Sequence, residues 1–113
     1  MKCKRVYLQP MKMVYNAILD MMELQKGEEL INDFSFGKLH FTITMYGFTW
    51  ELRFTVFDLD FNRCCVNLEI EEFENDEEQG YLRTMIHHEY VLLDSMILFG
   101  TPSKVTYKEE GSI

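Results

Sequence analysis

The chain has 113 residues, a formal net charge of -8, and 47% hydrophobic residues. This length fits one domain with its own core, and so much apolar content excludes an intrinsically disordered chain. The acidity disfavours direct binding to nucleic acid or anionic lipid, and no segment approaches the ~20 apolar residues that span a bilayer. We therefore expect a single domain over residues 1–113, located in the cytoplasm, with no nucleic-acid or membrane binding.

The cysteines and the first residues support this localisation. Cys3, Cys64 and Cys65 are odd in number and two of them are adjacent, which argues against a disulfide framework and fits a reducing compartment. The basic start resembles the first part of a signal peptide. However, Lys12 and Asp20 interrupt the apolar segment that export requires.

The first element predicted is a helix over residues 10–26. Pro10 suits a first helical position, and Lys26 followed by glycine suits a helix end. Its apolar arc is wider than one core-facing stripe requires. Met13 and Leu24 lie off the main stripe and predict a contact with a second copy or a partner.

Three strands with two-residue alternation follow the helix, over residues 39–46, 50–57 and 64–71, with a turn at 58–62. A second helix is predicted over residues 77–98 and a short fourth strand over residues 104–108. The fold class is therefore α+β, in the order α-β-β-β-α-β. An antiparallel three- to four-stranded meander carries both helices on one face.

Two patterns resemble metal sites but fail on geometry. Asp58, Asp60, Asn62 and Glu69 match four positions of a calcium-binding loop, yet Arg63 occupies the position of the essential glycine. The adjacent residues His87 and His88 diverge by about 100° on a helix, whereas zinc ligands need a spacing of three or four. We expect no metal and no cofactor.

Glu89 falls in the middle of the apolar face of the second helix. A buried carboxylate must find hydrogen-bond donors or take up a proton. The structural interpretation is a hydrogen bond to a sheet residue or a tyrosine, and the functional one is a pocket. Because no nucleophile, phosphate-binding loop or second carboxylate accompanies it, we predict that the protein is not an enzyme.

Residues 69–78 concentrate most of the excess negative charge, in Glu69, Glu71, Glu72, Glu74, Asp76, Glu77 and Glu78. Strand alternation places the first two on a solvent face, and the last three suit the positive end of a helix. Alternatively, the run is one anionic surface. Alternate carboxylates on a strand repeat every ~6.6 Å, close to the spacing of successive phosphates.

The anionic surface leads to the main functional hypothesis, a small acidic inhibitor that binds a basic or nucleic-acid-binding surface of a partner protein. Anti-CRISPR, other anti-defence and toxin-immunity proteins are of this type. The predicted partner site consists of the seven carboxylates with Phe73 and Tyr81 as aromatic anchors.

Two alternatives stay open. The element order and acidity are similar to those of type III secretion chaperones, which implies a dimer that uses the first helix. The other alternative is a domain that binds a small molecule in a pocket near Glu89.

Overall fold

A computed structural model describes residues 1–72, 76–100 and 107–110. Within these ranges, two helices and six strands make up the fold. In chain order they are β1 (Lys2–Tyr7), α1 (Met11–Leu24), β2 (Glu28–Asp33), a 3₁₀ turn (Phe34–Phe36), β3 (Lys38–Met45), β4 (Phe48–Asp60), β5 (Arg63–Glu69), α2 (Asp76–Gly100) and β6 (Tyr107–Glu110).

The six strands form one antiparallel sheet in the order β2-β3-β4-β5-β1-β6. The predicted meander is its centre, because β3, β4 and β5 pair consecutively. β1 pairs with β5, so that the first residues of the chain lie beside the third strand of the meander.

The core lies between the sheet and the two helices. Alternate residues of β4 are fully buried because their side chains face the helices: Trp50, Leu52, Phe54 and Val56. The helices contribute residues at helical spacing, including Val14, Ile18 and Met21 from α1 and Leu82, Ile86 and Leu93 from α2. The predicted class, α+β with helices on one face of an antiparallel sheet, is confirmed.

The sequence did not predict β1 or β2, so the predicted strand count was too low. In β1 the inward positions include Arg5, a charged residue that breaks the apolar alternation; it is 4% exposed and its Nη1 lies 2.7 Å from Asp94 Oδ2 of α2. β2 is an edge strand on which five of six residues are exposed, so it has no alternation to detect.

The element ends also differ from prediction. Lys26 adopts a φ of 56°, so α1 ends at Leu24 rather than near residue 26. Strand β4 continues to Asp60, because Asp60 pairs with Arg63 across the hairpin. Of the strand predicted at 104–108, residues 104–106 lie outside the described residues, and residues 107 and 108 belong to β6. No helix in the described part of the chain is both long and apolar enough to cross a membrane.

The far end of β4 extends past β3, and the 3₁₀ turn packs against it. Gly37 closes this turn with a φ of 65°, and a Cβ there would lie 1.9 Å from the Val56 carbonyl oxygen. Only glycine tolerates this approach. The extended β4–β5 hairpin, the 3₁₀ turn and the start of α1 therefore surround a recess at one end of the sheet.

Candidate functional site

The described residues of the acidic run divide between the end of β5 and the start of α2. Glu69 ends β5, Glu71 and Glu72 follow it as exposed residues, and Asp76, Glu77 and Glu78 form the first turn of α2. The last three therefore occupy the helix start that the sequence predicted for them. Phe73 and Glu74 lie outside the described residues.

Glu69 and Glu71 are paired with cations from neighbouring strands. Arg53 of β4 places Nη1 3.4 Å from Glu69 Oε1 and Nη2 2.6 Å from Glu71 Oε1, while Lys2 Nζ of β1 lies 3.4 Å from Glu69 Oε2. The hydrogen bond to Glu71 is the main reason that the pKa of Arg53 is raised. A basic partner would have to displace Arg53 and Lys2, both of which lie far from residues 69–78 in the sequence.

Tyr81, predicted as an aromatic anchor for a partner, contacts two other aromatic rings of the protein. Its ring stacks on Tyr46 of the β3–β4 turn, with centroids 4.8 Å apart, and lies 6.1 Å from the ring of Phe48. Tyr81 is 36% exposed. Its observed role is to join the start of α2 to that turn.

The two residues predicted for a second interface differ in exposure. Leu24, at the end of α1, is 62% exposed, whereas Met13 is half-buried near its start. The homodimer contact through these residues stays a prediction.

Glu89 lies on the buried face of α2, as the helical spacing predicts, and is fully shielded from solvent. Its partner is Gln25, at the end of α1, whose Nε2 donates to Glu89 Oε1 at 2.9 Å; the expected sheet residue or tyrosine is not the partner. Burial raises the pKa of Glu89 to about 7, and the Gln25 hydrogen bond opposes this rise. Glu89 therefore joins the two helices.

The metal-like patterns do not converge in the structure. Asp60 accepts a hydrogen bond from the Asn62 backbone N–H at 3.0 Å and pairs with Arg63 Nε at 2.7 Å. Arg63, which stands where a calcium-binding loop has glycine, therefore already neutralises this carboxylate. The described ranges contain no group of three or more His, Cys, Asp or Glu side chains arranged to hold a metal ion.

An open cleft lies at the other end of α1 from Gln25 and Glu89, in the recess beside the β4–β5 hairpin. Its volume is about 740 Å³, within the size range of small-molecule sites. Three segments line it: Pro10, Met11 and Lys12 from the start of α1, Phe34 and Ser35 from the 3₁₀ turn, and Asp58, Asp60 and Phe61 from the hairpin.

The cleft combines apolar walls with a few charges. Phe34 and Phe61 are 47% and 93% exposed, so water contacts aromatic surface that a ligand could cover. Asp58 pairs across the hairpin with Cys64, which is buried. Burial, and next the Asp58 charge, raise the pKa of Cys64 to about 12, so its thiol stays protonated at neutral pH and is no nucleophile.

Sequence reasoning missed this cleft. Its residues come from three segments that are separated by more than twenty residues along the chain, and no spacing rule joins them. One signal was present. Phe61 is an aromatic residue in a predicted turn, where polar residues are the norm.

The chain matches no protein-family model and no curated protein. Among solved structures it is similar to the Zhui aromatase/cyclase from Streptomyces sp. R1128, with 13% identity, a TM-score of 0.46, and 88% of this chain and 91% of that one covered. It is also similar to the protein TTHA0849 from Thermus thermophilus, with 12% identity, a TM-score of 0.46, and 89% and 98% covered.

A third similar structure is the di-domain ARO/CYC StfQ from the steffimycin biosynthetic pathway. The identity is 12% and the TM-score is 0.42, with 86% of this chain and 43% of that chain covered. Similarity at this level carries no argument about the chemistry of this chain, because one fold supports many functions. That chemistry has to come from its own residues.

The main functional hypothesis, a stoichiometric inhibitor that uses the acidic run as one anionic surface, is wrong. In the structure itself, Arg53 and Lys2 pair with the strand-face carboxylates, and Tyr81 packs on Tyr46. The small-molecule alternative fits better, but its site is displaced, since Glu89 does not line the cleft.

Proposed function

We propose that this protein is a small-molecule-binding domain whose ligand occupies the cleft between the start of α1, the 3₁₀ turn and the β4–β5 hairpin. The observation that carries the proposal is an open cleft of about 740 Å³ with two exposed aromatic rings and three charged side chains in its lining. Ligand sites commonly combine apolar and aromatic walls with a few polar groups that fix orientation.

The cleft is built on rigid parts of the fold. The hairpin continues the central strands of the sheet, and Gly37 holds the 3₁₀ turn against Val56 through a hydrogen bond from the Val56 N–H to the Gly37 carbonyl at 2.7 Å. Pro10 fixes the backbone just before α1 begins. A preformed site loses little conformational entropy when it binds.

The proposal concerns binding. The absence of enzymatic activity, predicted from the missing catalytic motifs, stays a prediction.

The test is a screen of small aromatic compounds with the intact protein, read by the backbone amide signals in NMR. We expect hits to shift the amides of Met11, Ser35 and Phe61. In a Phe61→Ala variant the same compounds should bind about fivefold more weakly, because a stacked ring contributes roughly 1 kcal/mol.

Phe36→Ala is the matched control, since Phe36 belongs to the same 3₁₀ turn and is 73% exposed but does not line the cleft. It should leave the affinities unchanged. A screen in which no compound shifts the cleft amides, or in which both variants bind equally well, would overturn the proposal.

A further inference from the structure

Asp58 supplies an unpaired negative charge to the cleft. It is opposite Cys64 across the hairpin, so its side chain lies on the helix-facing side of the sheet beyond the last core residue of β4. Asp60 differs, because Arg63 and the Asn62 N–H already engage its carboxylate, and these contacts lower its pKa. Within the described residues, Asp58 makes no ion pair.

Lys12 supplies a positive charge to the same cleft. It lies in the first turn of α1, which contains no acidic residue, and among the residues described it has no ion-pair partner. The first turn of a helix is an unfavourable place for a cation. An anion in the cleft would interact favourably with this end of the helix and would pair with the ammonium group of Lys12.

The cleft that contains these two charges also has aromatic walls. Phe34 comes from the 3₁₀ turn and forms a T-shaped ring pair with Tyr15, with centroids 5.1 Å apart, while Phe61 projects from the hairpin almost fully exposed. Tyr15 in turn donates a hydrogen bond to Asn32 of β2, which holds this wall. A ring inserted here would cover apolar surface that water now contacts.

We propose that the ligand of this cleft is a small zwitterion with an aromatic ring, of the aromatic amino acid type. This inference rests on the proposed function and specifies its ligand class. The ammonium group pairs with Asp58, the carboxylate pairs with Lys12, and the ring packs against Phe34 and Phe61. Ser35 offers a hydroxyl that can donate to the carboxylate or accept from the ammonium group.

The presence of both charges disfavours ligands with only one. A purely anionic ligand would place its charge near Asp58, in a protein whose net charge is already -8. A purely cationic ligand would leave Lys12 unpaired and would be repelled by it. A zwitterion satisfies both groups and covers the rings at the same time.

Three probes with one ring and one chain length separate these cases: L-phenylalanine, phenethylamine and 3-phenylpropionate. Their affinities for the full chain are measured at neutral pH and low ionic strength by calorimetry or NMR titration. We expect phenylalanine to bind about fivefold more tightly than either single-charge probe, as for one exposed ion pair.

One variant at Lys12 and one at Asp58 test which group of the ligand each side chain binds. Lys12→Met should bind phenylalanine and phenethylamine equally, and Asp58→Asn should bind phenylalanine and 3-phenylpropionate equally. Lys26→Met and Asp20→Asn remove the same charges from sites outside the cleft and should keep the wild-type preference. Melting temperatures of all four variants check that each one folds.

The outcomes separate this inference from the proposed function. If a single-charge probe binds as tightly as phenylalanine and shifts the cleft amides, the zwitterion is wrong and the small-molecule site stands. If none of the three probes binds, while other aromatic compounds shift the cleft amides, the ligand class is again wrong. If no compound shifts those amides, both proposals fall.

Discussion

Glu89 shows how one buried group links protonation to stability. The Gln25 amide donates to its Oε1, and His88 Nε2 lies 3.7 Å from its Oε2. Among the described residues, neither Glu89 Oε2 nor Gln25 Oε1 has a hydrogen-bond partner. Because a buried charge without a full set of donors is unfavourable, the neutral acid suits this site better than the carboxylate.

The pKa of Glu89 rises from an ordinary 4.5 to about 7 in the folded protein, so the folded state holds this proton more tightly than the unfolded chain does. The resulting stabilisation is complete below pH 4.5 and is lost as the pH rises through 7. Glu89 alone should therefore reduce the free energy of unfolding by roughly 3 kcal/mol between pH 4.5 and 8.

Urea unfolding of the wild type and Glu89→Gln at both pH values measures this loss. The glutamine variant should lack it, because its side chain does not titrate. Subtracting the pH dependence of the variant's free energy of unfolding from that of the wild type removes the contributions of other groups. One such group is His40, because burial lowers its pKa. Equal pH dependence in both proteins would show that Glu89 is ionised throughout, or that water reaches it.

At the scale of elements, the β3–β4 turn is joined to α2 by a ring stack. Tyr46 and Gly47 form the turn, with φ values of 57° and 80°. Asparagine, aspartate and glycine favour such positive φ angles, whereas a tyrosine there is strained by roughly 1 kcal/mol or more. The stack of Tyr46 on Tyr81 offsets that strain, because an aromatic pair contributes a comparable amount.

A double-mutant cycle tests this balance. Tyr46→Asn relieves the strain but removes the stack, so in the wild type it should change the free energy of unfolding by less than about 1 kcal/mol. In a Tyr81→Ala background the stack is already absent, and the same change should stabilise the protein by about 1 kcal/mol. The measurement is urea unfolding of the four proteins; an identical effect in both backgrounds would refute the coupling.

Sequence patterns recovered the elements with regular periodicity, namely both helices and the β3–β5 meander. They failed where an element depends on a distant partner. Arg5 lies at an inward position of β1, where Asp94, 89 residues later, pairs with its guanidinium group and the ring of Tyr90 packs against it. Likewise, helical spacing predicts that Glu89 is buried, but it cannot identify Gln25, which lies 64 residues earlier in the chain.

At the scale of the whole molecule, the charge of -8 is partly organised by the sheet. Arg53 contacts Glu69 and Glu71, as above, and its Nε lies 3.8 Å from Glu51 Oε1. Without Arg53, these three carboxylates would repel one another more strongly, because the ion pair of Lys2 involves Glu69 alone. Such repulsion is screened at high ionic strength, where the Debye length falls to about 3 Å at 1 M salt.

We therefore expect Arg53→Met to lower the free energy of unfolding by about 1 kcal/mol at low salt and by less than half of that in 1 M NaCl. Methionine keeps most of the apolar stem, so the change isolates the charge. Arg63→Met is the control, because Arg63 pairs with a single exposed carboxylate, Asp60. Urea is the denaturant, because guanidinium chloride would itself add salt. If Arg53→Met lowers the free energy of unfolding equally at both salt concentrations, the loss comes from packing and not from charge.

The sequence by itself determined the fold class, both helices, the central strands, the burial of Glu89 and the helix-start position of Asp76, Glu77 and Glu78. These features follow from local periodicity and end signals, which neighbouring residues define. Only the tertiary structure decided which charges are neutralised and where the cleft lies. Sheet order brings Lys2 and Arg53 beside Glu69, and chain folding gathers Lys12, Phe34 and Asp58, because residues distant in sequence become neighbours only after the strands pair.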